Sequence, residues 1–347
     1  MVVTQVSLRS YRSYASLDLA LSPGVVLVTG ANGVGKTNLL ESLHLGTQGF
    51  SPRSRTDAQL IRFGEQAARV NVTGRSGPRP LELSVTLRAG QTKEARLNGA
   101  KLPSAESLRR EVSTLVFTPD RLTVVKGGPA VRRAYFDRVL GRLEPAAAAL
   151  PQAYLAALAQ RGAALRRVQL GLSSRETIEP WTEQVATLGA ELVARRRSTL
   201  DTLSAGFAEH AAALGLAGAL LRYEGEPPSR AELEARVDRD VERGTTGLGP
   251  HLHDVAVASG TRDLRQFGSQ GEQRLAVLSL LLAEARLLPT PPLLLLDDVL
   301  SELDPDRRRR LAGLLEGGGQ TVITATHASA LPADPAQLVE VEPGTAR

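Results

Sequence analysis

Gly30-Ala31-Asn32-Gly33-Val34-Gly35-Lys36-Thr37 constrains this chain more than any other stretch, because it fits the pattern G-x-x-x-x-G-K-[ST]. A loop of this kind works between a strand and a helix. The β-branched run 25–29 precedes it, and residues 37–46 read as a helix. The glycines let backbone N–H groups turn inward around phosphate oxygens, and the helix offers its positive end to the same anion. Lys36 supplies a compact charge to the β- and γ-phosphates, and the Thr37 hydroxyl is a ligand for Mg²⁺. The expected cofactors are therefore ATP and Mg²⁺, held by Gly30, Ala31, Asn32, Gly33, Val34, Gly35, Lys36 and Thr37. Lysine is rare here: only four of the 42 basic residues are Lys, so one placed at this position is informative.

Composition narrows the remaining possibilities. The 347 residues are 42% hydrophobic but only 3% aromatic, so the core must be mainly Leu, Val and Ala. With no cysteine, disulfide frameworks, thiolate metal sites and cysteine nucleophiles are excluded. The five histidines form no metal-ligand cluster, apart from the pair His251 and His253. No basic region followed by an apolar run opens the chain, and no apolar stretch reaches the length of a membrane span. The expected location is cytoplasmic, with no membrane partner. The net charge of +5 favours polyanionic partners, although such Arg dominance also reflects genome composition.

Along the chain, 2–8 and 25–29 read as strands, with LRSYRSYASLDL a polar turn between them. Alternation at 68–73 and 81–87 predicts two more strands, followed by a hairpin at Asn98-Gly99. From about Pro119 the pattern turns helical. Residues 146–170 and 181–214 are Ala/Leu/Arg-rich, separated by LSSRETIEP, where Pro180 favours a break. The short heptad run Trp181, Val185, Leu188, Leu192 fits a helical hairpin, either a projecting arm or ordinary helices packed on a neighbour. A strand returns near 254–258. The last 80 residues or so alternate helix and strand, which predicts a parallel sheet.

Three further motifs follow in order. Leu293-Leu294-Leu295-Leu296-Asp297-Asp298 reads as a buried parallel strand ending in two carboxylates. Asp297 would hold Mg²⁺, and Asp298 would face the attacking water. Upstream, Gly268-Ser269-Gln270-Gly271-Glu272-Gln273 opens a helix and resembles the signature motif of ABC and SMC ATPases, in which a Ser and a helix N-terminus meet a γ-phosphate held by the opposite subunit. Ser269 and Gly271 are the expected contacts. Ser301-Glu302-Leu303-Asp304 resembles the D-loop of the same ATPases, and His327, after a strand, stands where their switch histidine would be. Catalytic roles therefore fall to Lys36, Asp298, Ser269 and His327.

These ordered elements predict an α/β fold, a P-loop ATPase head of the ABC/SMC type with mixed sheets and an inserted helical lobe. Its expected division is an ATPase lobe at 1–115 and 245–347 and a helical lobe at 116–244. Over nearly its whole length the chain further resembles the RecF family. The resemblance rests on Leu8-Arg9-Ser10-Tyr11-Arg12-Ser13-Tyr14, on Phe117-Thr118-Pro119-Asp120-Arg121-Leu122, on Lys126-Gly127-Gly128-Pro129 with Arg132-Arg133 and Phe136-Asp137, on Gly249-Pro250-His251, and on Asp297 through Asp304. It implies that Arg12 contacts the nucleotide. It also implies a DNA-dependent ATPase of weak activity that dimerises head to head on DNA when ATP binds, releases on hydrolysis, and acts in recombinational repair with RecR and RecO to load RecA. Two departures stand out. Glu272 replaces the usual Gln of Ser-Gln-Gly-Gln, and the stretch after His251 looks several residues short.

DNA contacts are read from two Arg clusters. One is Arg132, Arg133, Arg138 and Arg142 with Arg121 and Lys126 upstream; the other is Arg53, Arg55 and Arg62. Either suits phosphate neutralisation, but any one Arg cluster is more often a solvated face than a DNA site. With few aromatics interleaved, backbone contact to duplex DNA fits better than a single-strand stacking platform. Two other classes share these motifs: the ATPase subunit of an ABC transporter, and a nucleotide-gated scaffold that hydrolyses little, since Asp298 is one methylene shorter than the usual glutamate.

Overall fold

The computed structural model describes residues 2–54 and 56–347. Packing divides the chain into two compact units. The first runs through Arg121 and includes Ala213–Gly215 and Leu288–Arg347; the second is Leu122–Ala212 and Leu216–Leu287. The segment 245–287, grouped with the ATPase lobe on sequence order, packs within the second unit.

The first unit begins with a hairpin, β1 (Val2–Tyr11) and β2 (Tyr14–Ala20). The polar turn expected across residues 8–19 is thus mostly strand. Tyr11, Tyr14, Leu17 and Leu19 alternate inward, and the chain reverses in two residues with left-handed backbone at Ser10 and Arg12. Next come β3 (Val25–Thr29), α1 (Lys36–Gln48), β4 (Ala67–Ser76) and β5 (Arg79–Arg88). A tight Asn98-Gly99 turn, left-handed at both residues, joins β6 (Glu94–Leu97) to β7 (Ala100–Lys101), as that dipeptide predicts. β8 (Thr114–Phe117) follows.

The second unit holds α2 (Thr123–Lys126), α3 (Pro129–Leu143), α4 (Leu150–Gln169) and α5 (Glu179–Ala213). Pro180 sits in the first turn of α5, where its missing N–H costs no helical bond. Then come β9 (Ala219–Glu224), α6 (Arg230–Ala235), α7 (Val237–Arg243), β10 (Asp254–Ser259), β11 (Arg262–Asp263), α8 (Leu264–Phe267) and α9 (Gln270–Leu287). The short stretch after His251 closes as a turn, with the Leu252 amide donating to Gly249 O at 2.9 Å, and leads directly into β10. A fully buried ion pair, Arg161 to Asp240 at 2.8 Å, ties α4 to α7, and the guanidinium also donates to Thr182, Thr246 and the Leu233 carbonyl.

The chain returns to the first unit with β12 (Leu293–Leu296), α10 (Pro305–Leu315), β13 (Thr321–Ala325), β14 (Gln337–Glu342) and β15 (Thr345–Ala346). Two six-stranded sheets result. One is antiparallel, ordered β2-β1-β4-β5-β6-β7. The other is ordered β15-β14-β3-β13-β12-β8 and is parallel except at β15. Helix α1 packs against strands of both and is buried from Leu39 to Gln48, so its apolar residues run around the helix instead of along a stripe. Gly46 is required there: a Cβ would strike the Val72 side chain. The Gln320 side chain bridges the sheets, bonding the Val3 amide and the Ser22 carbonyl.

Candidate functional site

β3 delivers the chain to Gly30, whose φ of 148° and the nearby Val341 carbonyl exclude any side chain. At the other end of the loop, Gly35 has φ 122°, and a Cβ there would lie 2.9 Å from Ser13 Oγ. The loop is braced from the β1–β2 turn: Tyr14 OH donates to Gly35 O at 3.1 Å, and Asn38 Nδ2 donates to Ser13 Oγ at 3.0 Å. Lys36 curls back over the loop, its Nζ donating to Gly30 O at 2.7 Å and Ala31 O at 2.8 Å. Burial pulls the Lys36 pKa below its ordinary value, opposed by Asp298 and Asp297. The ammonium is thus partly stripped of water and held against the carbonyl oxygens of the loop itself.

Asp297 follows β12, between the ends of β8 and β13. Its amide donates to Phe117 O at 2.9 Å. Thr37 Oγ1 donates to Asp297 Oδ1 at 3.0 Å across 260 residues of sequence, and Thr324 Oγ1 donates to the same oxygen at 2.8 Å. Burial raises the Asp297 pKa, and the two hydroxyls work against that rise. One buried carboxylate beside one hydroxyl suits Mg²⁺, which binds through one or two protein oxygens and completes its shell with phosphate and water. Among the described residues no group of three or more acidic or histidine side chains forms a self-sufficient metal site.

Asp298 adopts φ 50°, a left-handed backbone that aspartate tolerates, and its amide donates to Thr324 Oγ1 at 2.8 Å. Its exposed side chain lines a cleft of about 170 Å³ shared with Ser301, Arg308 and His327. Ser301 Oγ donates back to Asp298 O at 3.0 Å, and Asp304 caps α10. Asp298 and His327 therefore open onto the same space. Arg12 is engaged within the protein: its guanidinium donates to both Glu41 carboxylate oxygens at 3.0 Å and to Gln59 O at 2.9 Å.

The signature segment lies in the second unit. Exposed Ser269 precedes α9, and its Oγ accepts from the Glu272 amide at 3.2 Å while the Ser269 amide donates to Glu272 Oε2 at 2.8 Å. This is a capping box. The Ser269 amide, then Arg262 at 2.9 Å, hold the Glu272 carboxyl below its usual range. The Glu that departs from the resembled motif is thus charge-compensated and fastens the start of the helix. Gly271 is exposed in the first turn, and buried Gln273 anchors to Leu264 O at 2.7 Å.

The Arg row on α3 is not a free basic face. Arg132 and Arg142 are ion-paired with Asp254 and Glu284, and Arg133 donates to His253 O. Arg62 donates to Ser13 O at 2.9 Å; Arg53 and Lys126 are exposed; Arg55 lies outside the described residues. Sequence reading missed Thr324, which bonds the Asp297 carboxylate and the Asp298 amide, and the bracing pair Ser13 and Tyr14. Thr324 shows no signal in the sequence beyond its place in a β-branched strand.

Residues 2–345 match the family model described as the RecF/RecN/SMC N terminal domain. The chain is similar to a DNA replication and repair protein RecF from Heliobacterium modesticaldum, 36% identical over 360 residues, covering 97% of this chain and 95% of that protein. A RecF from Frankia alni is 36% identical over 361 residues, covering 96% of each. Among solved structures, the recombination mediator protein RecF with ATP in the RecFOR pathway superposes with a TM-score of 0.86 at 26% identity, covering 99% of this chain and 96% of that one. No helix among the described residues is long and apolar enough to cross a membrane.

Proposed function

This chain belongs to the RecF family of DNA replication and repair proteins, and from that premise we propose that it is an ATP-gated DNA clamp of recombinational repair. The observation that carries the reading is the 3.0 Å hydrogen bond between Thr37 and Asp297, because it joins the phosphate loop to the second carboxylate motif at the point a Mg²⁺ ion would share.

In this reading the amides of Gly30–Thr37 and the Lys36 ammonium bind the triphosphate of ATP. Thr37 and Asp297 hold Mg²⁺, which neutralises phosphate charge when bound. Asp298 orients and deprotonates the attacking water, and His327, across the same cleft, steadies the γ-phosphate. Ser269 and Gly271 complete the site of a second copy, with the N-terminus of α9 directed at its γ-phosphate. ATP binding then drives head-to-head dimerisation on DNA, and hydrolysis releases it. The ATPase lobe would comprise 1–115 and 245–347, and the helical lobe 116–244. RecR and RecO are the proposed partners, with RecA loading the outcome, in the cytoplasm. Turnover is slow because the Asp298 carboxylate reaches one methylene less far than a glutamate.

The test is the ATPase rate per chain at two protein concentrations, with and without duplex DNA. The expected rate rises with both. A rate indifferent to both would overturn the clamp reading.

A further inference from the structure

Phe63 is fully exposed in a chain whose Tyr11, Tyr14, Phe117 and Phe136 are all buried. It is not on a loose tip. The Arg12 amide donates to Leu60 O at 3.0 Å, the Arg62 amide donates to Ser10 O at 2.8 Å, and Tyr11 forms a β-bridge with Ile61. Arg62 Nη1 donates to Ser13 O at 2.9 Å, and Ser13 in turn accepts from Asn38 in the first turn of α1. Phe63 therefore stands at the end of a ledge joined by short hydrogen bonds to the mouth of the phosphate loop.

The direction in which a bound nucleotide runs follows from the loop. Amides of the loop and of the first helical turn face the α- and β-phosphates, and Lys36 reaches the β- and γ-phosphates. Asp297, Asp298 and the cleft with His327 mark the γ end. A nucleoside attached to the α-phosphate leaves from the opposite end, past Asn38 and Ser13, toward the ledge. An aromatic side chain held there with both faces in solvent suits a stacked base.

We propose that Phe63 is the base-stacking residue of the nucleotide site, with the adenine ring of ATP as its occupant. The proposal rests on the phosphate-loop reading above. Stacking on one aromatic ring strengthens binding and tolerates any base, because every base has a π-face. Phe63 thus strengthens binding of nucleotides over bare polyphosphate without selecting ATP over GTP. Because the ring is exposed, its removal leaves the core intact.

The test titrates wild type, Phe63→Ala, Phe63→Trp and Lys36→Met with Mg²⁺ and either ATP, GTP or inorganic tripolyphosphate, at low protein concentration. Phe63→Ala is expected to weaken ATP and GTP about tenfold, the equivalent of roughly 1.4 kcal/mol, and to leave tripolyphosphate unchanged. Phe63→Trp retains nucleotide affinity, and its indole emission is quenched by ATP but not by tripolyphosphate. Unchanged ATP affinity in Phe63→Ala overturns the proposal, including the case in which only self-association falls, which would give Phe63 to a contact between copies. Equal loss of ATP and tripolyphosphate overturns it too, since the ring would then act on the loop and not on the base. Failure of the phosphate-loop reading is distinct: Lys36→Met would then bind tripolyphosphate as well as wild type does.

Discussion

Replacing Thr324 by valine removes one hydroxyl and keeps the shape of a buried side chain. That hydroxyl donates to Asp297 Oδ1 at 2.8 Å and accepts from the Asp298 amide at 2.8 Å. A hydrogen bond to an ionised group contributes about 1.5–3 kcal/mol, and a buried donor left without a partner costs about 1–3 kcal/mol. Asp297 retains Thr37, so the lower end applies, and a loss of about 2 kcal/mol of folding stability is expected. A second readout concerns function. With one anchor gone the Asp297 carboxylate is less well oriented toward Mg²⁺, and the Mg²⁺ concentration giving half-maximal ATP binding should rise about tenfold, equivalent to roughly 1.4 kcal/mol. ATP binding in the presence of a chelator should not change, because Lys36 and the loop amides are untouched. Thr324→Ser keeps the hydroxyl and should restore the Mg²⁺ midpoint. Urea unfolding and Mg²⁺ titration of ATP binding measure both effects. A Thr324→Val protein with the wild-type midpoint in each would refute the assignment of Thr324 as the positioning residue.

Ser269→Arg should bind ATP normally but fail to self-associate or turn over, whereas Asp298→Asn should bind, dimerise and stall; sedimentation with and without ATP separates them, and ATP-driven dimerisation of Ser269→Arg would sink the signature role. Arg161→Met strands the fully buried Asp240 carboxylate and should destabilise the protein by about 3–5 kcal/mol, with most of the loss recovered in Arg161→Met/Asp240→Leu, as read by urea unfolding. Burial, then Arg196, depress the His253 pKa from 6.5 to about 4. Folding therefore favours neutral His253, and its contribution is present above pH 6.5 and lost as pH falls toward 4. His253→Asn should flatten the stability profile across that window, and an unchanged slope would show that other groups carry it.

The phosphate loop and the carboxylate strand were legible because each carries local chemistry: glycines needing unusual φ, and an apolar run ending in charge. Glu272 stood out in the sequence only as a departure from the resembled motif, and its reciprocal capping with Ser269 appears in the structure. What stayed hidden depends on distant partners. Thr324 meets Asp297 only because β12 and β13 pair in parallel with Leu296 opposite Ile323. Arg132 and Arg142 look like a basic stripe until chain closure brings Asp254 and Glu284, 122 and 142 residues away, against them. β8 and β14 were not read as strands; β8 is only four residues long, and periodicity does not separate so short an apolar run from a piece of helix.

The order of strands also governs when this protein becomes competent during synthesis. β3, which carries the phosphate loop, lies between β13 and β14, so both of its neighbours are supplied by residues 321–342. The β1–β2 and β4–β5 hairpins pair within short stretches of sequence, whereas the loop strand has neither flanking strand until residues 321–342 have been made. Pairing so remote in sequence is slow and leaves apolar strand edges exposed on the nascent chain. A ribosome stalled before residue 321 thus carries a chain with the complete phosphate-binding motif and neither of the strands that flank β3 in the finished sheet. Chaperone capture of such stalled chains, and its disappearance once 321–342 have emerged, is the expected signature.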